Sequence, residues 1–218
     1  MRRIISAVLI TILLVSCVCY AAPFSDVDGH WAADELEMAY EVGIINGDGD
    51  GRFRPDDSIS RGEFVKMLAA VIANNFLQPI PEDLAESKHW ASKYYVFAKS
   101  LIYTPLTEAD KVGDIVPGLM SDGDMDKPIE RWEMAFMTGE ALSNLFYAEN
   151  VASYGDAEKV AANYPAEVAQ AIGICVDMGI IRGDEHGNFN PSDGATRAEA
   201  AAVMNRMYNK INGIFTSN

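Results

Sequence analysis

The sequence predicts an all-α protein: three tandem helix-loop-helix repeats around a shared central helical bundle. Three observations lead there. A stretch from Gly43 to Glu63 recurs without a gap from Gly179 to Glu199, with 11 of 21 positions identical. In both copies a Ser or Thr stands three residues before a Glu, a capping box, and an apolar stripe at i, i+3, i+4, i+7 follows it. Both copies also carry a Gly- and Asp-rich segment that favours turns over helix. Self-similarity of this density marks a repeat architecture. A worn copy lies between them, where Ile129-Glu130-Arg131-Trp132-Glu133 matches the Arg-x-Glu opening and His89-Trp90-Ala91 matches His30-Trp31-Ala32.

The chain opens with Arg2-Arg3, an apolar run from Ile4 to Leu14 and small residues up to Ala21-Ala22. Residues 1–21 therefore read as an export signal, too short for a membrane span. Two cleavage points fit: Leu14-Val15-Ser16-Cys17 resembles a lipobox, whose Cys17 would carry a lipid anchor, and Cys19-Tyr20-Ala21 suits ordinary cleavage.

The first repeat spans residues 22–75. Leu36, Ala39, Tyr40 and Gly43 fall at helical spacing, so a first helix is expected from Trp31 to Val42. Asn46-Gly47-Asp48-Gly49-Asp50-Gly51 ends it, Phe53 is expected to plug the loop onto the core, and Pro55 sets the approach to a second helix over Ser60–Ala73. The second repeat, 76–147, keeps a second helix over Arg131–Phe146. Between Tyr103 and Lys127 it holds about 13 more residues than its neighbours, bounded by Thr104-Pro105 and Lys127-Pro128, which suits a long surface loop. The third repeat, 148–218, has its second helix over Thr196–Lys210. Asn74 to Glu82 and Ala148 to Gly155 read as linkers. The second helices carry the longest apolar stripes, and a repeat of this size is marginal alone, so these helices are expected to pack on one another in one core.

Charge narrows the partners. Cleavage after Ala21 removes two of 17 basic residues, leaving 15 against 32 acidic ones and a net charge of −17. Such a surface repels nucleic acid and anionic membranes at long range. Only Cys175 remains in the mature chain, inside an apolar helical stretch, which fits a buried inert thiol.

Each repeat places an arginine directly after the helix N-cap: Arg61, Arg131 and Arg197. A helix N-terminus carries partial positive charge and unpaired amides, so an arginine there makes a local anion site, and its planar guanidinium suits a carboxylate or phosphate. The competing reading is a surface ion pair with an acid such as Asp57 or Asp193.

Phe24-Ser25-Asp26-Val27, His30-Trp31-Ala32, Gly43-Ile44-Ile45-Asn46-Gly47, Phe53-Arg54-Pro55 and Ile59 to Glu63 together resemble the S-layer homology repeat, and the resemblance covers the mature chain as three units. It implies a pseudo-threefold spindle whose inter-repeat grooves hold an acidic, pyruvate-bearing sugar of a secondary cell-wall polysaccharide. It also implies that Arg61, Arg131 and Arg197 take the acidic ligand, helped by Asp26, Asp156, Trp31, Trp90, Gly47 and Gly183. A tryptophan face against a sugar is physically apt, although a Trp at a helix start is also common in cores. The chain departs from the pattern in places. Ala85 stands where Asp26 would align, Glu130 replaces the capping Ser or Thr, and the third repeat has Tyr164 nearest the tryptophan position, 15 residues before Gly179 where Trp31 is 12 before Gly43. The best-preserved groove is therefore expected at Arg61.

Two other readings keep the envelope setting. Similar modules in diderm bacteria bind modified peptidoglycan as an envelope tether, which a lipidated Cys17 would favour. Asn46, Asp48, Asp50, Gly51 and Asp57 also fit five positions of a calcium loop, but the last repeat has Arg182 and His186 at two of them. No metal and no cofactor is therefore expected. An enzyme is not expected either, since His30, His89 and His186 are the only histidines and no nucleophile elbow, phosphate loop or zinc spacing occurs.

Overall fold

The computed structural model describes residues 24–102, 123–146 and 154–216. The export signal with Cys17, the inserted segment over 103–122 and the linker over 148–153 lie outside the described residues. The helices are α1 (Ala33–Glu41), α2 (Arg61–Asn75), α3 (Ser92–Ile102), α4 (Arg131–Phe146), α5 (Ala157–Asn163), α6 (Ala166–Asp177) and α7 (Arg197–Thr216), with a 3-10 turn at Glu82–Leu84. No strand runs among the described residues, so the protein is all-α. None of these helices is long and apolar enough to cross a membrane.

The capping box starts α2 as the sequence predicts. Ser60 Oγ accepts from the Glu63 amide at 3.3 Å, and Glu63 Oε2 accepts from the Ser60 amide at 2.9 Å. Thr196 and Glu199 repeat it at 3.2 and 2.9 Å. Glu130 has no hydroxyl to offer, yet its amide still donates to Glu133 at 2.8 Å, so half the box survives.

Just before these helices the chain passes three times through one point. The Ile59 amide donates to Ala195 O at 3.2 Å, the Ala195 amide to Ile129 O at 3.0 Å, and the Ile129 amide to Ile59 O at 3.0 Å. The three hydrogen bonds close on themselves. Ile59, Ile129 and Ala195 are buried there, at the head of a single apolar core that takes in residues from every helix except the short α5's flanks.

Packing within that core differs from the expected arrangement. α2 and α7 do pack on each other, but each long helix also packs on a shorter one: α2 on α3, α4 on α6, and α7 on α1. The reason lies in small residues. Gly139 of α4 lets the Ala171 backbone of α6 come so near that a Cβ on Gly139 would sit 2.5 Å from Ala171 O. Cys175 of α6 is fully buried at the same junction and its Sγ lies 3.4 Å from Ala135 O of α4, which fits the expected structural thiol. Helix periodicity shows which face is buried, not which helix covers it.

α5 was not foreseen, because Ala157–Asn163 is short and buries only Val160. It displaces the start of α6, and α6 itself is 12 residues against 9 for α1. Tyr164 thus stands two positions before α6, as Trp31 stands before α1 and Trp90 before α3. The altered spacing to Gly179 is a longer helix, not a lost position.

Candidate functional site

The sequence places an anion site at the N-termini of α2, α4 and α7, and the structure fills those termini with backbone. The Arg61 and Gly62 amides donate to Lys127 O and Met125 O at 3.0 and 2.8 Å. Those of Arg131 and Trp132 donate to Asp193 O and Pro191 O, and those of Arg197 and Ala198 to Asp57 O and Pro55 O, all at 2.9 Å. The amides expected to be unpaired are taken by the turn that precedes another long helix.

The arginine side chains run in the same circular order. Arg61 Nη2 lies 2.6 Å from Glu133 Oε1, Arg131 Nη1 3.0 Å from Glu199 Oε1, and Arg197 Nη1 2.6 Å from Glu63 Oε1. Glu63 and Glu199 each cap their own helix with one oxygen and hold the arginine of another helix with the other, whereas both oxygens of Glu133 accept from Arg61 and Oε2 also caps α4. Asp57 and Asp193, expected as ion-pair partners, supply only backbone carbonyls. Arg131 and Arg197 also donate through Nε to Phe189 O and Phe53 O and lie over those rings, 5.2 and 4.8 Å from the centroids. The ring is made of charge-assisted hydrogen bonds, and its strongest joint is at Glu133, whose carboxylate is 1% exposed where Glu63 and Glu199 are about a third exposed.

Asp26 and Asp156 also hold backbone. Asp26 accepts from the Phe53 and Arg54 amides at 2.9 and 2.8 Å, and Asp156 from those of Phe189 and Asn190 at 2.6 and 2.9 Å. Burial raises the Asp26 carboxyl, but these amides outweigh it and keep it below the usual range. Arg54 and Asn190 sit at φ 57 and 55, a left-handed conformation that the paired carboxylate oxygens help to hold. Gly47 and Gly183 are needed for close approach: a Cβ would meet Arg52 O at 2.7 Å and Asn188 O at 2.8 Å.

Of the side chains foreseen as a site, those of Trp31 and Trp90 stand open, the residues being 61% and 48% exposed. Trp90 faces a groove between α2 and α3. A Cβ on Gly62 would stand 3.2 Å from Trp90 Cζ2, so the glycine leaves room beside the indole. One helical turn on, Tyr94 meets Trp90 edge-on with centroids 6.4 Å apart. Below them opens a cavity of about 700 Å³ whose walls include Asn46, Lys66, Asn74, Lys93 and Tyr94. Lys66 makes no ion pair among the described residues, and Lys93 pairs with Glu82 of the 3-10 turn. Sequence reasoning missed both lysines. The signal was present: Lys66 interrupts the apolar run of α2 four residues after Gly62, on the face of the helix that meets α3.

The other two junctions differ. Between α4 and α6, Trp132 takes the place of Gly62 and packs on Tyr164 with centroids 5.8 Å apart. Glu140 and Glu167 lie further down, and burial, reinforced by the Glu167 charge, raises the Glu140 carboxyl. Between α7 and α1, Arg206 and Glu35 are bound at 2.6 Å, with Asn205 Nδ2 on the other carboxylate oxygen.

The acids of the first loop face cations: Asp48 pairs with Arg54 and Arg197, and Asp50 with Arg52. Among the described residues no three His, Cys, Asp or Glu side chains come together as a metal site.

The family model for the S-layer homology domain matches residues 23–65 and 153–201. Two regions of the chain are thus S-layer homology domain matches. It is 26% identical over 184 residues to an S-layer protein of Bacillus thuringiensis subsp. finitimus, a match covering 83% of this chain and 21% of that one. It is 24% identical over 202 residues to an amylopullulanase of Thermoanaerobacterium thermosulfurigenes, covering 89% and 10%, and 27% identical over 200 residues to exoglucanase XynX of Acetivibrio thermocellus, covering 88% and 17%. The chain thus spans between 10% and 21% of the length of these relatives. The two matched regions hold both gapless loop copies and the helix starts Arg61 and Arg197. The α3–α4 region, with its inserted segment, lies between them.

Proposed function

We propose that this protein is a non-catalytic S-layer homology anchor at the cell surface, built of repeats over 22–75, 76–147 and 148–218, and that it holds a cell-wall polymer in the groove between α2 and α3. The ligand is the acidic, pyruvate-bearing end of a secondary cell-wall polysaccharide. The observation that carries this reading is the pair of lysines, Lys66 and Lys93, in a groove walled by Tyr94 on an otherwise acidic chain, with Trp90 edge-on against Tyr94. Ammonium groups suit a carboxylate, and the aromatic faces suit a sugar ring. Arg61, Arg131 and Arg197, with Asp26, Asp156, Gly47 and Gly183, frame the grooves, Trp90 meets the ligand, and Trp31 offers the matching face at the α7–α1 junction.

Bulk repulsion opposes an anionic polymer here, so affinity comes from short-range contacts and salt weakens it only modestly. The test is calorimetry of purified wall polymer against Lys66→Ala and Lys93→Ala, with circular dichroism to confirm folding. Losing a charged hydrogen bond of this kind costs about 1.5–3 kcal/mol, so Lys66→Ala is expected to bind at least tenfold more weakly. Unchanged binding by the folded Lys66→Ala variant overturns the groove assignment. Retention of the protein by sacculi stripped of the secondary polymer would assign the ligand to peptidoglycan instead.

A further inference from the structure

The chain holds two Asn-Gly pairs, Asn46-Gly47 and Asn212-Gly213. An asparagine before glycine is chemically labile, because no side chain shields the glycine nitrogen from the asparagine amide carbon. The fold treats the two pairs in opposite ways. Asn212 and Gly213 lie inside α7, where the backbone hydrogen bonding of the helix fixes each nitrogen. Asn46 and Gly47 lie outside any helix and Asn46 is exposed. Among the described residues neither the Asn46 side chain nor the Gly47 amide makes a hydrogen bond.

The acids that follow are held. Asp48 pairs with Arg54 and Arg197, and Asp50 with Arg52, so Asp48-Gly49 and Asp50-Gly51 present a tied carboxylate where Asn46 presents a free amide. That amide belongs to the wall of the α2–α3 groove, together with Lys66, Asn74 and Lys93. In the third repeat Arg182 takes its place.

We infer, taking the α2–α3 groove as the anion site, that Asn46-Gly47 is a self-modifying site whose spontaneous deamidation turns this groove against an anionic polymer. The Gly47 nitrogen attacks Asn46 Cγ, the bond from Cγ to Nδ2 breaks, and ammonia leaves with the proton that the nitrogen gave up. Water then opens the succinimide ring. Attack at Cγ yields aspartate, and attack at the Asn46 carbonyl carbon yields isoaspartate, with Gly47 joined through the side-chain carbon. In both cases the sum is amide plus water to carboxylate plus ammonium, with no change of oxidation state. Either product sets a negative charge in the wall that carries Lys66 and Lys93, where it competes with the ligand carboxylate for their ammonium groups. Isoaspartate also adds a methylene to the main chain directly before Gly47. That glycine is packed so closely that a Cβ on it would stand 2.7 Å from both Phe24 Cε1 and Arg52 O. An old molecule therefore holds the wall less tightly than a new one.

The experiment incubates the folded protein in mildly alkaline buffer and follows both pairs by peptide mass spectrometry, with a urea-unfolded sample alongside. Asn46 is expected to convert in the folded protein while Asn212 does not, and both convert when unfolded. Conversion of Asn46 no faster than that of Asn212 in the folded protein overturns the inference. Calorimetry with purified wall polymer then compares fresh and converted protein. Asn46→Asp and the converted parent are expected to bind about tenfold more weakly than the fresh parent. Asn46→Ser, which has no ammonia to lose at this position, keeps its own starting affinity through the incubation. Undiminished affinity in Asn46→Asp and in the converted parent overturns the inference as well. Lys66→Ala in the same series tells the two readings apart. Weaker binding there beside an unaffected Asn46→Asp removes only the deamidation effect, whereas unchanged binding by Lys66→Ala removes the groove assignment and the inference with it.

Discussion

The α2–α3 and α4–α6 junctions are built on one plan and end with opposite surfaces. Both begin with an arginine on a capping glutamate and with an aromatic residue two positions before the shorter helix. At the first, Gly62 lies beside the exposed indole of Trp90, and Tyr94 next to it lines a groove with two lysines. At the second, Trp132 covers Tyr164, and Glu140 and Glu167 lie below it. The residue after the arginine decides whether the junction is a groove or a seam. The frame is kept where the surface has diverged, because the frame is hydrogen-bonded around a closed circle and the surface is not.

Breaking the frame tests this most strongly. Glu133 is 1% exposed, so Glu133→Ala strands the Arg61 guanidinium with little solvent and should cost about 3–5 kcal/mol in urea unfolding. Glu199 leaves 32% of its side chain exposed, and Glu199→Ala should cost about 1–2 kcal/mol, since Arg131 keeps two backbone carbonyls. Equal losses would mean that the two joints are not graded by burial.

Next comes Trp132→Gly, which copies the open junction into the closed one. A fully buried Trp costs about 3–5 kcal/mol on truncation, and this half-buried one should cost less. The variant should gain no second site for the anionic wall polymer, because Glu140 and Glu167 remain, and calorimetric stoichiometry checks that directly.

A smaller effect is expected from pH. The folded-state Glu140 carboxyl is raised, so its protonated form favours the native state, and that contribution is present at low pH and lost as pH rises through the folded value. Glu140→Gln should therefore melt like the parent in acid and above it at neutral pH, with the gap widening between. The smallest change is a probe. Burial pushes the Cys175 thiol well above its ordinary range. Labelling by a thiol reagent should be slow, and it should quicken in Trp132→Gly if the α4–α6 junction opens at that end.

Much of this was legible in the sequence. Ser60 with Glu63 and Thr196 with Glu199 mark helix starts because the capping box is local, and the apolar stripes mark the buried faces. The second role of those glutamates was not legible, because their arginines lie 72, 68 and 134 positions away and nothing local ties them together. The same limit hid the site. Asp26 stands five residues before Trp31 and Asp156 eight before Tyr164, yet their oxygens are spent on amides 27 to 34 residues on. Lys66 shows in the sequence only as a charge inside the apolar run of α2, and that α3 stands beside it is a tertiary fact.

The contact from Arg197 back to Glu63 and Phe53 also sets an order of events in time. A chain emerging from its N-terminal end can form α2 early, but the helix that carries Arg197 emerges far later. Until it does, Phe53 O lacks its donor and the apolar face of α2 that meets α7 has nothing to cover it. Such long-range closure is slow, and a half-delivered chain with open apolar surface is prone to stick to its neighbours. Substitutions in α7 should therefore lower the yield of exported protein more than equally buried substitutions in α1. The helix that closes the ring decides whether the ones before it were worth making.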